Sequence, residues 1–343
     1  TKTYIVQLAD APAATYNGRI AGLAATRPAP GAKLDVRSPQ GRAYLAYLAS
    51  RRAAVLSGID AVKVQHQYDA VLAGFSAKMT VAQAKALATK AGVVSVVEAQ
   101  KLKLDTISTP TFLGINGDGG IWSMLDANAA FAKGEGVIIG IVDSGVWPEN
   151  ASFGDKVDAQ GNPVAYDQGG TQVYGPPPAK WKGTCETGPG FTAAMCNNKL
   201  IGARAYYAGY DAAGATRSTM EYVSPRDGGG HGTHTSSTAG GNAQAAAVID
   251  GIATGRMSGI APRARLASYK VCWEGATSDD TGCYNTDSVK AIDDAVKDGV
   301  DVINYSISGT KTNFADPVEI AFLNATAAGV FVAASAGNTP ANS

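Results

Sequence analysis

Gly136-Val137-Ile138-Ile139-Gly140-Ile141-Val142-Asp143-Ser144-Gly145 is the stretch that decides the fold. Its apolar, mostly β-branched residues follow one another without the polar alternation of a half-exposed strand, so both faces must be buried, as in a parallel sheet. The run stops on Asp-Ser-Gly. Comparable runs lie at 266–271, 300–307 and 330–334, and helical spacing of apolar residues occupies 287–297 and 317–327 between the last three. This alternation predicts an α/β fold built on a doubly wound parallel sheet. Ligands of such sheets bind beyond the carboxyl ends of the strands, and Asp143 and Asn338 each follow such an end.

Working outward, the 343 residues allow two domains at about 150 residues each. A composition of 45% hydrophobic and 17% charged residues fits globular domains and excludes disordered, collagen-like and coiled-coil chains. No apolar stretch approaches the roughly 18 residues of a membrane span, so no membrane partner is expected. The opening Thr1-Lys2-Thr3-Tyr4-Ile5-Val6 lacks a basic-then-apolar leader, which predicts that any signal peptide has been removed or never existed. A net charge of zero argues against a dedicated nucleic-acid binder. That zero hides a split: residues 1–105 hold 14 Lys/Arg against 6 Asp/Glu, a net +8 that the remainder balances with −8. Two such parts should attract.

Residues 1–105 read as a small alternating unit. Residues 3–8 suggest a strand, 40–56 a helix carrying Leu45, Leu48, Val55 and Leu56, and Val62 and Val64 the start of a second strand. Residues 71–79 form a further extended run. Thr80 with Gln83 makes a capping-box pattern for a second helix, Gly92 stops it, and 93–97 close as a strand. The order β-α-β-β-α-β is the split βαβ, ferredoxin-like α+β arrangement. Its one histidine, His66, lies in a polar strand-like run and predicts an ordinary surface or structural role. Residues 98–116 contain Pro110, show no helical period and read as an extended connector at a domain boundary.

Four cysteines, Cys185, Cys196, Cys272 and Cys283, allow three pairings. Joining Cys185 to Cys196 and Cys272 to Cys283 closes two short loops, each contributing about 3 kcal/mol in the chain-entropy model, and predicts an oxidising compartment. A zinc site is the competing reading, disfavoured because no C-x-x-C or Cys/His quartet is present, and free thiols are the other.

Gly228-Gly229-Gly230-His231-Gly232-Thr233-His234-Thr235 precedes a stretch able to start a helix, which places histidine near a helix amino end. An imidazole that takes up a proton needs a partner to fix its tautomer and stabilise its cation, and a buried carboxylate does both. Asp143 is the candidate.

Three segments now resemble a known family. Val142-Asp143-Ser144-Gly145-Val146-Trp147-Pro148-Glu149, Gly230-His231-Gly232-Thr233-His234-Thr235 and Ala333-Ala334-Ser335-Ala336-Gly337-Asn338 are similar to the aspartate, histidine and asparagine motifs of subtilisin-like serine proteases. WKGTCETGPGF, MCNNKLIGAR, SPRDGGGHGTHT, YKVCW and AIDDAVKDGVDVIN resemble the cucumisin-like branch, and YDAVLAGFSAKMT with VVSVVEAQKLKLDT resembles its inhibitory propeptide. The resemblance implies a subtilisin-like sheet at 106–343 preceded by a propeptide at 1–105 that assists folding and then blocks the cleft, with 99–105 lying along the substrate strand. It implies His231 as general base and acid, Asp143 as its orienting partner, His234 as a structural neighbour and Asn338 as an oxyanion-hole donor. Ser306-Ile307-Ser308-Gly309 matches the segment that pairs with extended substrate; Ser308 stands where relatives usually carry Gly, leaving the shape of the first specificity pocket open. Because TISTPTFLGI resembles the family's mature start, maturation is expected between Asp105 and Thr106.

The family's nucleophilic serine sits in a G-T-S-M motif after the asparagine, and none occurs here. Ser218-Thr219-Met220 precedes the histidine and lacks the glycine; Ser236 and Ser237 lie about a turn past His231. The expectation is therefore the amino-terminal part of a secreted protease precursor whose serine is supplied by a second chain or segment, unable to hydrolyse peptides alone and stable only with that remainder bound. Its partners would be protein or peptide substrates, its own propeptide and that remainder. The competing readings are a serine-less pseudoprotease that only binds peptide and an inhibitor fragment. No cofactor or metal is expected, since no H-E-x-x-H or D-x-D-x-D pattern occurs. Asn150-Ala151-Ser152 and Asn324-Ala325-Thr326 are glycosylation sequons, meaningful in a eukaryotic host.

Overall fold

The computed structural model describes residues 1–29, 32–59, 62–104, 114–115, 119–124, 132–249, 252–310 and 312–338. The proposed maturation bond between Asp105 and Thr106 lies outside them.

The amino-terminal unit runs β1 (Lys2–Leu8), α1 (Pro39–Leu56), β2 (Lys63–Tyr68), β3 (Gly74–Met79), α2 (Val81–Ala88) and β4 (Val93–Glu98). Its sheet order is β2-β3-β1-β4, with β1 antiparallel to both neighbours, the split βαβ arrangement. Local chemistry sets the boundaries. Ser38 caps α1 and Pro39 fits its first turn, while Thr80 and Gln83 form a reciprocal capping box on α2. The extended run expected over 71–79 begins as a strand only at Gly74, because residues 69–71 turn to meet the second unit.

The second unit is built on β6 (Ile138–Asp143), β7 (Leu200–Ala205), β8 (Arg265–Lys270), β11 (Val302–Tyr305) and β13 (Phe331–Ala334), with β9 (Cys272–Trp273), β10 (Gly282–Tyr284) and β12 (Ile307–Ser308) as shorter pieces. Its helices are α3 (Ala208–Ala212), α4 (His231–Gly240), α5 (Asn285–Asp298) and α6 (Pro317–Ala327). The five longer strands form one sheet in the order β7-β8-β6-β11-β13, every pairing parallel. From β6 the chain builds one side of the sheet and then returns to build the other, so Asp143 ends the strand at which the strand order reverses.

Alternate residues of β6 serve opposite faces. Ile138 and Val142 join a cluster with Val289, Ile292, Val318 and Phe322, whereas Ile139 and Ile141 pack with Phe153, Leu200 and Leu266 on the other side. The first cluster continues without interruption into the amino-terminal unit through Tyr68, Val71, Leu48 and Phe75.

α5 explains the continuity. Val289, Ile292, Ala295 and Val296 are buried, yet so are Asp287 and Asp293, because this helix has the amino-terminal unit on one side and the parallel sheet beneath. Asp293 Oδ1 accepts the backbone N–H groups of Asp69 (3.3 Å), Ala70 (2.6 Å) and Val71 (3.2 Å), and its Oδ2 accepts from Lys297 Nζ at 2.6 Å. Burial alone would raise the Asp293 carboxyl; Lys297, Lys290 and these hydrogen bonds outweigh it and hold the group below its ordinary range.

His66 is structural rather than a surface residue. Its Nε2 lies 2.5 Å from Asp287 Oδ1 across the interface, and its side chain is 9% exposed. Further bonds cross from Lys33 Nζ to the Gly329 carbonyl, Arg37 to the Lys182 carbonyl and Lys78 to the Ala212 carbonyl. The ion pairs do not all follow the charge split. Lys33 with Asp301 does, but Lys297 with Asp69 has the opposite sense, so attraction between the two net charges is only part of the interface.

Residues 101–104 correct the connector reading. They form β5 (Lys101–Leu104), antiparallel to β10 through Cys283↔Leu102 and Tyr284↔Lys101, and to β12 through Ile307↔Leu104 and Ser308↔Lys103. Its partners stand some 180 residues or more along the chain, so no local periodicity reveals them. The sheet order is β9-β10-β5-β12.

Both disulfides join sequential cysteines, Cys185 to Cys196 and Cys272 to Cys283. The second ties β9 to β10 and so braces one wall around β5. Replacing Cys272 and Cys283 together by serine is expected to lower unfolding free energy by about 3 kcal/mol in a denaturant titration. Amide exchange at Tyr284 should accelerate. An unchanged midpoint would show the β9–β10 wall to be held by other contacts.

Candidate active site

The site assembles where β6 ends. Gly145 has φ +110° and a Cβ there would meet the Pro225 carbonyl at 2.5 Å; a Cβ on Gly232 would meet the Gly145 carbonyl at 2.2 Å. Glycine at both positions lets the first turn of α4 sit directly on the loop that follows Asp143. Gly230, at φ +86°, turns the chain into the helix, and His231 opens it.

His231 Nδ1 lies 2.7 Å from Asp143 Oδ1. The carboxylate also accepts the Ser144 N–H at Oδ1 (2.7 Å) and the Thr235 hydroxyl at Oδ2 (3.0 Å). A carboxylate so placed is an acceptor, which assigns the proton to Nδ1 and leaves Nε2 as the basic nitrogen. Asp143 is 1% exposed, and burial pushes its carboxyl above the ordinary range against the opposing hydrogen bonds from His231, Ser144 and Thr235. The imidazole is one-fifth exposed and so within reach of a ligand.

Thr235 was not singled out from the sequence. It stands four residues after His231, hence on the same helix face, and that spacing was the available signal. His234, one turn on in α4, is exposed. Ser236 is buried at 2% exposure, and the Ser237 hydroxyl donates to the His234 carbonyl, so neither is presented beside the imidazole.

Asn338 is exposed, four residues past the end of β13. β13, β11 and β6 are parallel neighbours, so Asn338 and Asp143 share the carboxyl edge of the sheet. Gly337, at φ +86°, turns the chain just before it. Along the same edge Ile307 and Ser308 are paired with β5, and Ser306 accepts a hydrogen bond from Asn304. Ser308 and Gly309 also border a pocket lined by Phe322 and Ala334. The chain's own strand thus runs between two walls, 282–284 and 307–308. The first of these walls carried no periodic signal in the sequence.

A parallel sheet thus carries a histidine–aspartate pair at its carboxyl edge, with an extended segment of the same chain laid along that edge. Residues 134–343 match the model described as the Subtilase family, and residues 3–105 match that of the peptidase inhibitor I9. The chain belongs to the subtilase family and carries an inhibitor-I9 propeptide domain. It is 41% identical over 286 residues to subtilisin-like protease SBT1.6 of Arabidopsis thaliana, covering 82% of this chain and 34% of that protein. Subtilisin-like protease SBT1.4 of the same plant is 41% identical over 283 residues, covering 81% and 33%. Subtilisin-like protease SBT2.6 is 35% identical over 344 residues, covering 98% and 40%. The chain therefore spans about a third of the length of the first relatives it matches.

Proposed function

We propose that this chain forms the propeptide and the Asp, His and Asn part of a secreted serine endopeptidase precursor. His231 takes the proton of an attacking serine hydroxyl and returns it to the leaving amine. Asp143 fixes the imidazole tautomer and stabilises its cation. The Asn338 side chain and backbone N–H groups hold the oxyanion. Residues 306–309 receive extended substrate by strand pairing. Residues 1–105 assist folding and keep the groove closed, and maturation falls between Asp105 and Thr106. The serine is supplied by polypeptide outside these 343 residues, as a second chain or a later segment. Two paired cysteines in each of two loops support an oxidising, extracellular destination.

The observation that carries this reading is the pairing of β5 with residues 307–308 on the same sheet edge that holds the His231–Asp143 pair. A peptide bound antiparallel there is what a protease cleft needs, and the molecule supplies one from its own sequence. A fluorophosphonate probe tests it. Covalent labelling of a serine outside the 343 residues, abolished by His231→Ala, is expected in the assembled protein. Labelling of a serine within these residues would refute the external nucleophile, and no labelling in any assembly would favour the peptide-binding pseudoprotease.

A further inference from the structure

Behind the His231–Asp143 pair lies a second buried carboxylate with no part in proton transfer. Asp227 is 1% exposed, and its carboxylate accepts hydrogen bonds at both oxygens. Its Oδ1 accepts from the Ser144 hydroxyl (2.9 Å) and from the backbone N–H groups of Gly229 (3.1 Å) and Gly230 (2.8 Å). Its Oδ2 accepts from the Thr233 N–H (2.8 Å) and the Thr233 hydroxyl (2.6 Å). Two of those donors lead onward. Ser144 Oγ accepts the Gly232 N–H at 2.7 Å, and Thr233 Oγ1 accepts the Trp147 N–H at 2.9 Å. The Asp227 backbone also bonds to the Val146 carbonyl at 3.1 Å.

These bonds tie three segments to one another: the loop 144–147 that leaves Asp143, the glycine turn 229–230, and the first turn of α4. The two groups of the catalytic pair sit on the first and third of these. Asp143 ends β6, one residue before Ser144; His231 lies one residue before Gly232 and two before Thr233. No rotation of His231 away from Asp143 by movement of the helix start is possible without breaking a charge-assisted bond to Asp227. A carboxylate at a helix amino end is also favoured by the helix dipole. Lys270 is committed to Glu221 at 2.6 Å and to the Tyr222 and Arg226 carbonyls, so among the described residues Asp227 is answered by hydrogen-bond donors rather than by a salt bridge.

We propose that Asp227 is a positioning residue for the His231–Asp143 pair, acting through Ser144 and the first turn of α4 to hold the imidazole in hydrogen-bonding register. It touches neither substrate nor the reacting atoms. Its effect on turnover rests on the peptidase reading above, but its effect on the His231–Asp143 hydrogen bond does not.

The test uses the assembled protein with isotope-labelled histidine, of which these 343 residues hold three. Wild-type protein should show a strongly low-field Nδ1 proton from His231 bonded to Asp143. In Asp227→Asn, whose amide must face donors on one side, that resonance should broaden beyond detection while the His66 signals stay in place. Ser144→Ala, which cuts the link to Gly232 without leaving a buried amide among donors, should shift and broaden it as well. Persistence of an unchanged low-field resonance in a folded Asp227→Asn chain overturns the proposal. Should Asp227→Asn fail to fold, Ser144→Ala decides in the same terms. In protein that labels with a fluorophosphonate, Asp227→Asn should lower kcat roughly 10- to 100-fold with KM unchanged. Loss of the resonance in a protein that never labels would refute the peptidase reading and leave the positioning role standing.

Discussion

Asp143→Asn is expected to reduce peptide hydrolysis by about 10⁴-fold in kcat while leaving the fold at least as stable at neutral pH. The two halves of this expectation come from the same geometry. Asparagine in place of the carboxylate can offer Nδ1 an amide hydrogen and so favour the wrong imidazole tautomer; it also removes the charge that stabilises the imidazolium. Stability follows the other sign. Burial raises the folded Asp143 carboxyl above its ordinary value of 3.8, so ionising it costs stability as pH rises from 3.8 through the raised value, and that cost persists at neutral pH. A neutral asparagine carries no such cost. Thermal unfolding of the variant beside wild type checks the second half. A fall in Tm of more than a few degrees would show that the ionised pair holds the fold together, against the direction of the Asp143 shift.

Asp293→Ala is expected to loosen the propeptide more than any single change on the opposite side of the interface. The substitution leaves the N–H groups of residues 69–71, two of them buried, without their acceptor and Lys297 without its nearest carboxylate. Removing one member of a buried charged network of this kind costs roughly 3 kcal/mol, about a hundredfold in the docking equilibrium. Hydrogen exchange at Ala70 and Val71 reads this directly, and protection should fall by about that factor while amides of β6 and β8 keep theirs. Equal protection in the variant would show that the loop is held by Asn324 and Tyr68 instead, which bond to the Val71 carbonyl at 2.5 Å and, from Tyr68, to the Thr286 carbonyl at 3.0 Å. The pH dependence has a defined sign. Because the folded Asp293 carboxyl lies below 3.8, its contribution is fully present above 3.8 and is lost as pH falls through the depressed value. Acid, not base, should release this contact.

The interface is also notable for being polar where it could have been oily. His66, Asp287, Asp293 and Asn324 all lie between the two units, and groups of this kind can be taken up by water once the units separate. A continuous apolar cluster supplies cohesion beside them, through Tyr68, Val71, Val289 and Ile292.

Much of this protein was written in short-range patterns. The unbroken apolar, mostly β-branched run 137–142 dictated a doubly covered strand, the Thr80–Gln83 box placed α2, Pro317 and the apolar spacing after it placed α6, and the two 11-residue cysteine separations marked the loops that are closed. Each is a property of neighbouring side chains and needs no knowledge of the rest of the chain. The pairing of Asp143 with His231 was legible one step further, from the glycines that free the helix start and the carboxylate that ends a strand. Tertiary structure alone decided the rest. That Lys101–Leu104 is paired on both sides depends on backbone donors and acceptors at 283–284 and 307–308, of which the family resemblance pointed only to 306–309. That Asp287 and Asp293 are buried depends on a second unit covering the polar face of α5, a face that by composition alone belongs in water. That Thr235 and Asp227 grip the His231–Asp143 pair depends on hydrogen bonds that join the loop after β6 to the start of α4, made only when α4 settles onto the end of β6.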